Sequence, residues 1–152
     1  MSKPKESVTI LIADDDSDDR LMIEEALREN RLSNDLRFVK DGEELMDYLL
    51  RKDKFSETAS SPKPGLILLD LNMPRKDGRE ALKEIKSNPH LKGIPVVILT
   101  TSKAEEDVYR TYNLGVNSFI TKPVTFDALV AVLRDFGRYW LEIVELPTSK
   151  ER

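Results

Sequence analysis

"LILLDLNMPRKDGREALKEI", residues 66 to 85, holds a strand, a turn and the opening of a helix in one short stretch. "LILLD" is an apolar run too short for a helix, so it predicts a buried strand. The run stops on a bare carboxylate, Asp70, and the chain then turns. Met73 and Pro74 shape and pack that turn, and "DGREALKEIKSN" from Asp77 to Asn88 predicts a helix behind an aspartate cap.

The same unit recurs on both sides. "VTILIA", Val8 to Ala13, predicts a first strand buried on both faces, and "SDDRLMIEEALREN" from Ser17 predicts a helix with Leu21, Ile23, Ala26 and Leu27 at helical spacing. "LRFV", Leu36 to Val39, and "DGEELMDYLLRK", with Leu45, Tyr48 and Leu49 inward, give the second pair. Downstream, "IPVVILT" and "AEEDVYRTYNLG", then "NSFITK" and a helix from Thr125 or Phe126, complete the series, with a stop signal at Gly115. Five strands alternating with five helices imply an α/β fold, doubly wound, with a parallel sheet, right-handed crossovers and helices on both faces. The polar stretch Lys54 to Gly65 is the one long loop and is expected on the surface.

Composition narrows the function. At 152 residues the chain has the length of one domain, and 39% apolar with 34% charged residues is an ordinary globular composition. No run is long enough for a membrane helix, and "MSKPKES" lacks the apolar core of a secretory signal, so a cytoplasmic protein is expected. The absence of cysteine excludes disulfides, thiolate metal sites and thiol chemistry. A net charge of −4 argues against nucleic acid as a partner.

In an open parallel sheet, sites form beyond the carboxyl ends of the strands. Strand one ends on Asp14 and Asp15, strand three on Asp70, strand four on Thr100, and strand five shortly before Lys122. Converging carboxylates repel one another unless protonated or joined by a cation. An oxygen-only donor set in a polar cleft suits Mg²⁺, which also accepts phosphate oxygens. Lys122 offers phosphate a compact positive charge, and Thr100 offers a hydroxyl donor.

"IADDDS", "LLDLNMPRKDG", "VVILTTS" and "FITKP", in that order at strand ends, resemble the receiver domain of two-component response regulators over roughly Val8 to Asp135. The resemblance implies a flavodoxin-like receiver fold with strand order 2-1-3-4-5. It implies Asp70 as the acceptor of a phosphoryl group from a sensor histidine kinase, and Lys122 and Thr100 as the residues that bind that group. Asp15, Asp70 and the Asn72 carbonyl would hold Mg²⁺, with Asp14 reaching it through water. Phe119 matches the switch aromatic, which turns inward when phosphorylation draws Thr100 toward the phosphate; it replaces the tyrosine often found there. The resemblance also implies a cis peptide at Lys122-Pro123. The kinase would dock on Leu21, Met22 and Pro123. Likeness over the whole chain, including "FGRYWLEIVELP", is greatest to the small stand-alone regulators of bacterial phytochromes, which implies a phytochrome kinase. Such a regulator is not an enzyme beyond its own phosphoryl transfer and dephosphorylation.

The last helix keeps its apolar spacing at Leu129, Val130, Leu133, Phe136, Trp140 and Ile143, so it is expected to be long. Tyr139, Trp140, Ile143, Val144 and Leu146 exceed what one small sheet buries, which predicts an exposed patch and a homodimer; the competing reading folds the extension back over its own domain. The residues read as a single receiver domain, 1–152, without an output domain.

Simpler readings exist for several residues. Asp16, Asp18 and Asp19 can serve as cap and dipole partners of the first helix. Asp14, Asp16, Asp18 and Glu25 mimic a calcium loop, but Asp19 stands where that loop needs glycine. His90 reads as a surface residue. A magnesium-dependent aspartyl-phosphate phosphatase of haloacid-dehalogenase type would use Asp14 and Asp16, yet the chain leaves little room for a substrate cap. A flavodoxin-like cofactor module would need a Ser/Thr/Gly-rich loop where five aspartates lie between Asp14 and Asp19.

Overall fold

The computed structural model describes residues 8–31, 34–57, 61–101 and 104–143. Five parallel strands form one sheet in the order β2-β1-β3-β4-β5. They are β1 (Ile10–Ala13), β2 (Leu36–Val39), β3 (Leu66–Leu69), β4 (Val96–Thr100) and β5 (Ser118–Thr121). Between and after them run α1 (Ser17–Glu29), α2 (Gly42–Leu49), α3 (Gly78–Ser87), α4 (Glu105–Leu114) and α5 (Phe126–Gly137).

Strand alternation feeds two separate cores, because successive side chains of a strand point to opposite faces. Ile10, Ile12, Leu66, Leu68, Val97 and Leu99 pack under α1 and α5. Leu11, Ala13, Ile67, Leu69, Val96 and Ile98 pack under α2 and α3. This explains the unbroken apolar runs of β1, β3 and β4, which are buried at every position. The edge strands β2 and β5 are only partly buried.

Helix ends follow local chemistry. Asp16 caps α1 through the amides of Asp18 and Asp19, and Asp77 and Glu80 form a capping box on α3. Gly115, with φ of 103°, ends α4. α2 is shorter than expected because the chain enters the left-handed region at Arg51, with φ of 57°. Two bonds tie α2 to described residues ahead of β3: Tyr48 Oη donates to the Pro62 carbonyl at 2.7 Å and Arg51 to the Ser61 carbonyl at 2.8 Å. Leu21 is exposed, unlike Ile23, Ala26 and Leu27, so it is not part of the core face of α1.

The last helix is long, as expected: α5 continues through a π-type segment, Arg138–Ile143. Its placement corrects the expected patch, however. Trp140 is only 8% exposed and belongs to the core under α1 and α5, since it continues the buried row Leu129, Leu133, Phe136. Tyr139 remains half exposed. Val144 and Leu146 lie outside the described residues.

Candidate functional site

Chain direction reverses across β1, which has β2 on one side and β3 on the other. A crevice therefore opens beyond the carboxyl ends of β1 and β3. Extensions of the strand ladder fix the backbone there: Asp14 N–H donates to the Val39 carbonyl at 3.1 Å, and Asp70 N–H to the Ala13 carbonyl at 3.0 Å. Lys122 N–H donates to the Thr100 carbonyl at 2.7 Å. Gly78 presses against the same point, where a Cβ would lie 2.3 Å from the Asp70 carbonyl oxygen. Only glycine allows α3 to start that close.

The side chains converge on Lys122. Its Nζ donates to Asp14 Oδ2 at 2.7 Å and to Asp19 Oδ2 at 2.9 Å, and lies 3.5 Å from Asp70 Oδ2. Thr100 Oγ1 donates to Asp70 Oδ1 at 2.7 Å, and the Asn72 amide donates to the same oxygen at 3.2 Å. Asp14 Oδ1 accepts the Asp16 amide at 3.0 Å. Carboxylate oxygens of Asp14, Asp15 and Asp70 lie within 4.8 Å of one another; Asp14 and Asp70 are buried, Asp15 exposed.

The electrostatics follow from this packing. Burial pushes the Asp14 carboxyl above its ordinary value, and the hydrogen bond from Lys122 offsets that only in part. Burial opposes the charge on Lys122, yet the bonds to Asp14 and Asp19 and the field of Asp70 outweigh it and keep the ammonium charged. Four carboxylates against Lys122 and the nearby Arg20 guanidinium leave the crevice net negative. A hard divalent cation fits this oxygen donor set, with one face open to solvent at Asp15.

Asp14, Asp15, Asp70, Thr100 and Lys122 are thus brought together as the sequence predicts. Phe119 lies one strand away, half-buried against the core under α2 and α3. The Thr100 hydroxyl lies in hydrogen-bond contact with the Asp70 carboxylate. One expectation needs correction. The Lys122-Pro123 peptide is trans, as no cis bond occurs among the described residues; trans is the default even before proline. The Asp16 carboxylate is committed to the α1 cap and is not part of the acidic cluster, which leaves the phosphatase pair of Asp14 and Asp16 unmade.

Sequence reasoning missed three participants. Asp19 reaches Lys122 across 103 positions, and the only signal was its place one helical turn after Asp16. Arg20 donates to the Asp14 carbonyl at 2.7 Å. Arg79, behind the Asp70 turn, grips buried Asp107 of α4 with two bonds of 2.7 Å, a pairing no local pattern announces.

The family model for the response regulator receiver domain matches residues 10–134. The chain belongs to that family. It is 42% identical to response regulator Rcp1 of a Synechocystis species over 140 residues, covering 92% of this chain and 93% of that one. Among solved structures, it resembles a phosphorylated cyanobacterial phytochrome response regulator, RcpA, at 40% identity and a TM-score of 0.87, over 94% of this chain and 100% of that one. The Mn²⁺-bound form of Rcp1 is 42% identical with a TM-score of 0.85, over 93% of this chain and 99% of the other. The receiver fold and strand order expected from the four strand-end motifs are those observed.

Proposed function

We propose that this receiver takes a phosphoryl group onto Asp70 from a sensor histidine kinase and relays the signal by a change of shape. One observation carries the assignment of the acceptor. Asp70 is the buried carboxylate at the reversal of the sheet that has a hydroxyl donor 2.7 Å away on one oxygen and an ammonium 3.5 Å from the other. An Asp70 oxygen attacks phosphorus, the bond from phosphorus to the donor breaks, and the leaving group departs with the electron pair. A carboxylate nucleophile, unlike a hydroxyl, needs no base to remove a proton before it attacks. Thr100 and Lys122 then serve the phosphoryl oxygens.

Asp15 and Asp70 would hold Mg²⁺, with Asp14 and the Asn72 carbonyl beside them. The ion would neutralise charge developing on the transferred group. The later attack of water on phosphorus, releasing Asp70, makes the protein catalytic only toward its own phosphate. No helix among the described residues is long and apolar enough to cross a membrane; the cytoplasmic location we propose rests instead on membership of the receiver family.

The likeness to phytochrome response regulators supports a phytochrome-type kinase as donor. Exposed Leu21 and Val124, with Met22 and Pro123 beside them, give that kinase an apolar landing at the mouth of the site. Nucleic acid is not among the partners we assign. A homodimer through the last helix rests on half-exposed Tyr139, and no longer on Trp140. We read the chain as one receiver domain whose last helix runs beyond the family match.

Incubation with Mg²⁺ and acetyl phosphate, followed by intact mass measurement, tests the acceptor. One acid-labile phosphoryl group on the native protein and none on Asp70→Asn is the expected result. An adduct that survives that substitution would overturn it.

A further inference from the structure

Three carboxylates surround the Lys122 ammonium, and Asp19 differs from the other two. Asp14 and Asp70 belong to the acidic cluster and have side chains only 2% and 8% exposed, whereas the Asp19 side chain stands outside it at 26%. Asp19 sits in the first turn of α1, where Asp18 is its neighbour and equally complements the helix dipole. Only Asp19 of these two reaches across the crevice, to 2.9 Å from Lys122 Nζ.

An ammonium has three N–H donors. The two shortest contacts here, 2.7 and 2.9 Å, go to Asp14 and Asp19, and the longest, 3.5 Å, goes to the acceptor itself. A phosphoryl group on Asp70 brings new anionic oxygens that need those donors. Of the two carboxylates now holding Lys122 most closely, the more exposed is the cheaper to release, because water can replace the lost bond. The same Asp19 charge also repels an incoming phosphoryl anion.

Resting on the assignment of Asp70 as phosphoryl acceptor, we propose that Asp19 is a positioning residue that competes with the phosphoryl group for Lys122. It stores one donor of the lysine while Asp70 is bare and gives that donor up when phosphate arrives. The affinity of the site for a phosphoryl anion is thereby set lower than the lysine alone would allow.

Trifluoroberyllate with Mg²⁺ is a stable stand-in for the phosphoryl group, and calorimetry measures its affinity for the native chain and for Asp19→Asn, Asp19→Glu and Asp18→Asn. Asp19→Asn should bind about three- to tenfold tighter, the scale of one partly exposed charged contact. Asp19→Glu, which keeps the charge, should bind as the native chain does. Asp18→Asn removes the same charge from the same helix turn without touching Lys122, and it should also leave the affinity unchanged. Asp19→Ser supplies a second neutral variant, and thermal melting verifies that each is folded. Equal affinity for Asp19→Asn and Asp18→Asn, or weaker binding by Asp19→Asn, would overturn the proposal while leaving Asp70 as acceptor. Failure of the native chain to bind trifluoroberyllate or take up phosphate would instead remove the acceptor assignment, and this proposal with it.

Discussion

Thr100 Oγ1 donates a 2.7 Å hydrogen bond to Asp70 Oδ1, joining the ends of two adjacent strands through buried side chains. The hydroxyl therefore stands ready beside the acceptor.

Thr100→Val keeps the shape and removes the donor. Losing a hydrogen bond to a charged acceptor should lower stability by about 1–2 kcal/mol in urea unfolding. The protein should still take phosphate from acetyl phosphate, since Lys122 remains. Hydrogen exchange in α4, β5 and α5 should no longer respond to phosphorylation, whereas it should in the native chain; an unchanged response in the variant would refute the role of Thr100.

Gly78→Ala places a methyl 2.3 Å from the Asp70 carbonyl oxygen, a backbone atom that cannot rotate away. The start of α3 or the Asp70 turn must shift, at a cost of about 1–3 kcal/mol. Displacing the acceptor should slow phosphorylation by acetyl phosphate about tenfold or more. A rate equal to that of the native chain would show that the close approach has no part in aiming Asp70.

Trp140→Ala and Tyr139→Glu separate folding from association. Trp140 fills the core under α1 and α5, so its truncation should cost about 3 kcal/mol. Tyr139 is half exposed, and its replacement should change stability by no more than about 0.5 kcal/mol. If the last helix forms a dimer, sedimentation should find Tyr139→Glu monomeric and still able to accept phosphate.

Glu44 gives the fold a component of acid sensitivity. Burial pushes its carboxyl up, but bonds from Lys54 Nζ and the Lys40 amide, both 2.8 Å, outweigh this and hold it below its ordinary value of 4.5. A lowered folded value means the stabilisation is fully present above pH 4.5 and is lost as pH falls through the folded value. Glu44→Gln should be less stable than the native chain by about 1 kcal/mol at pH 7, and the gap should close in acid. Urea unfolding at both pH values measures it.

The architecture was legible because β1, β3 and β4 are buried on both faces and hence uninterrupted in sequence, while α1, α2, α3 and α5 announce their caps. The acceptor cluster was legible because strand ends in a parallel sheet gather at one edge. What stayed hidden depended on reach across the fold. The grip of Arg79 on Asp107 spans 28 positions between two helices, and neither residue stands out locally. Asp19 was hidden by its company, since five aspartates in six positions look alike until one of them meets a lysine. Trp140 was misjudged because helical spacing fixes which residues share a stripe but not whether a neighbouring helix covers it, and α1 lies beside α5 along that stripe.

The backbone bond from Lys122 N–H to the Thr100 carbonyl, at 2.7 Å, means that the hydroxyl and the ammonium flanking Asp70 hang from a common peg. Anything that tugs the tip of β4 also tugs the lysine. With Asp70 as the proposed acceptor, chemistry and message would share this one backbone bond, and a variant that silences one while sparing the other would have to act on side chains alone.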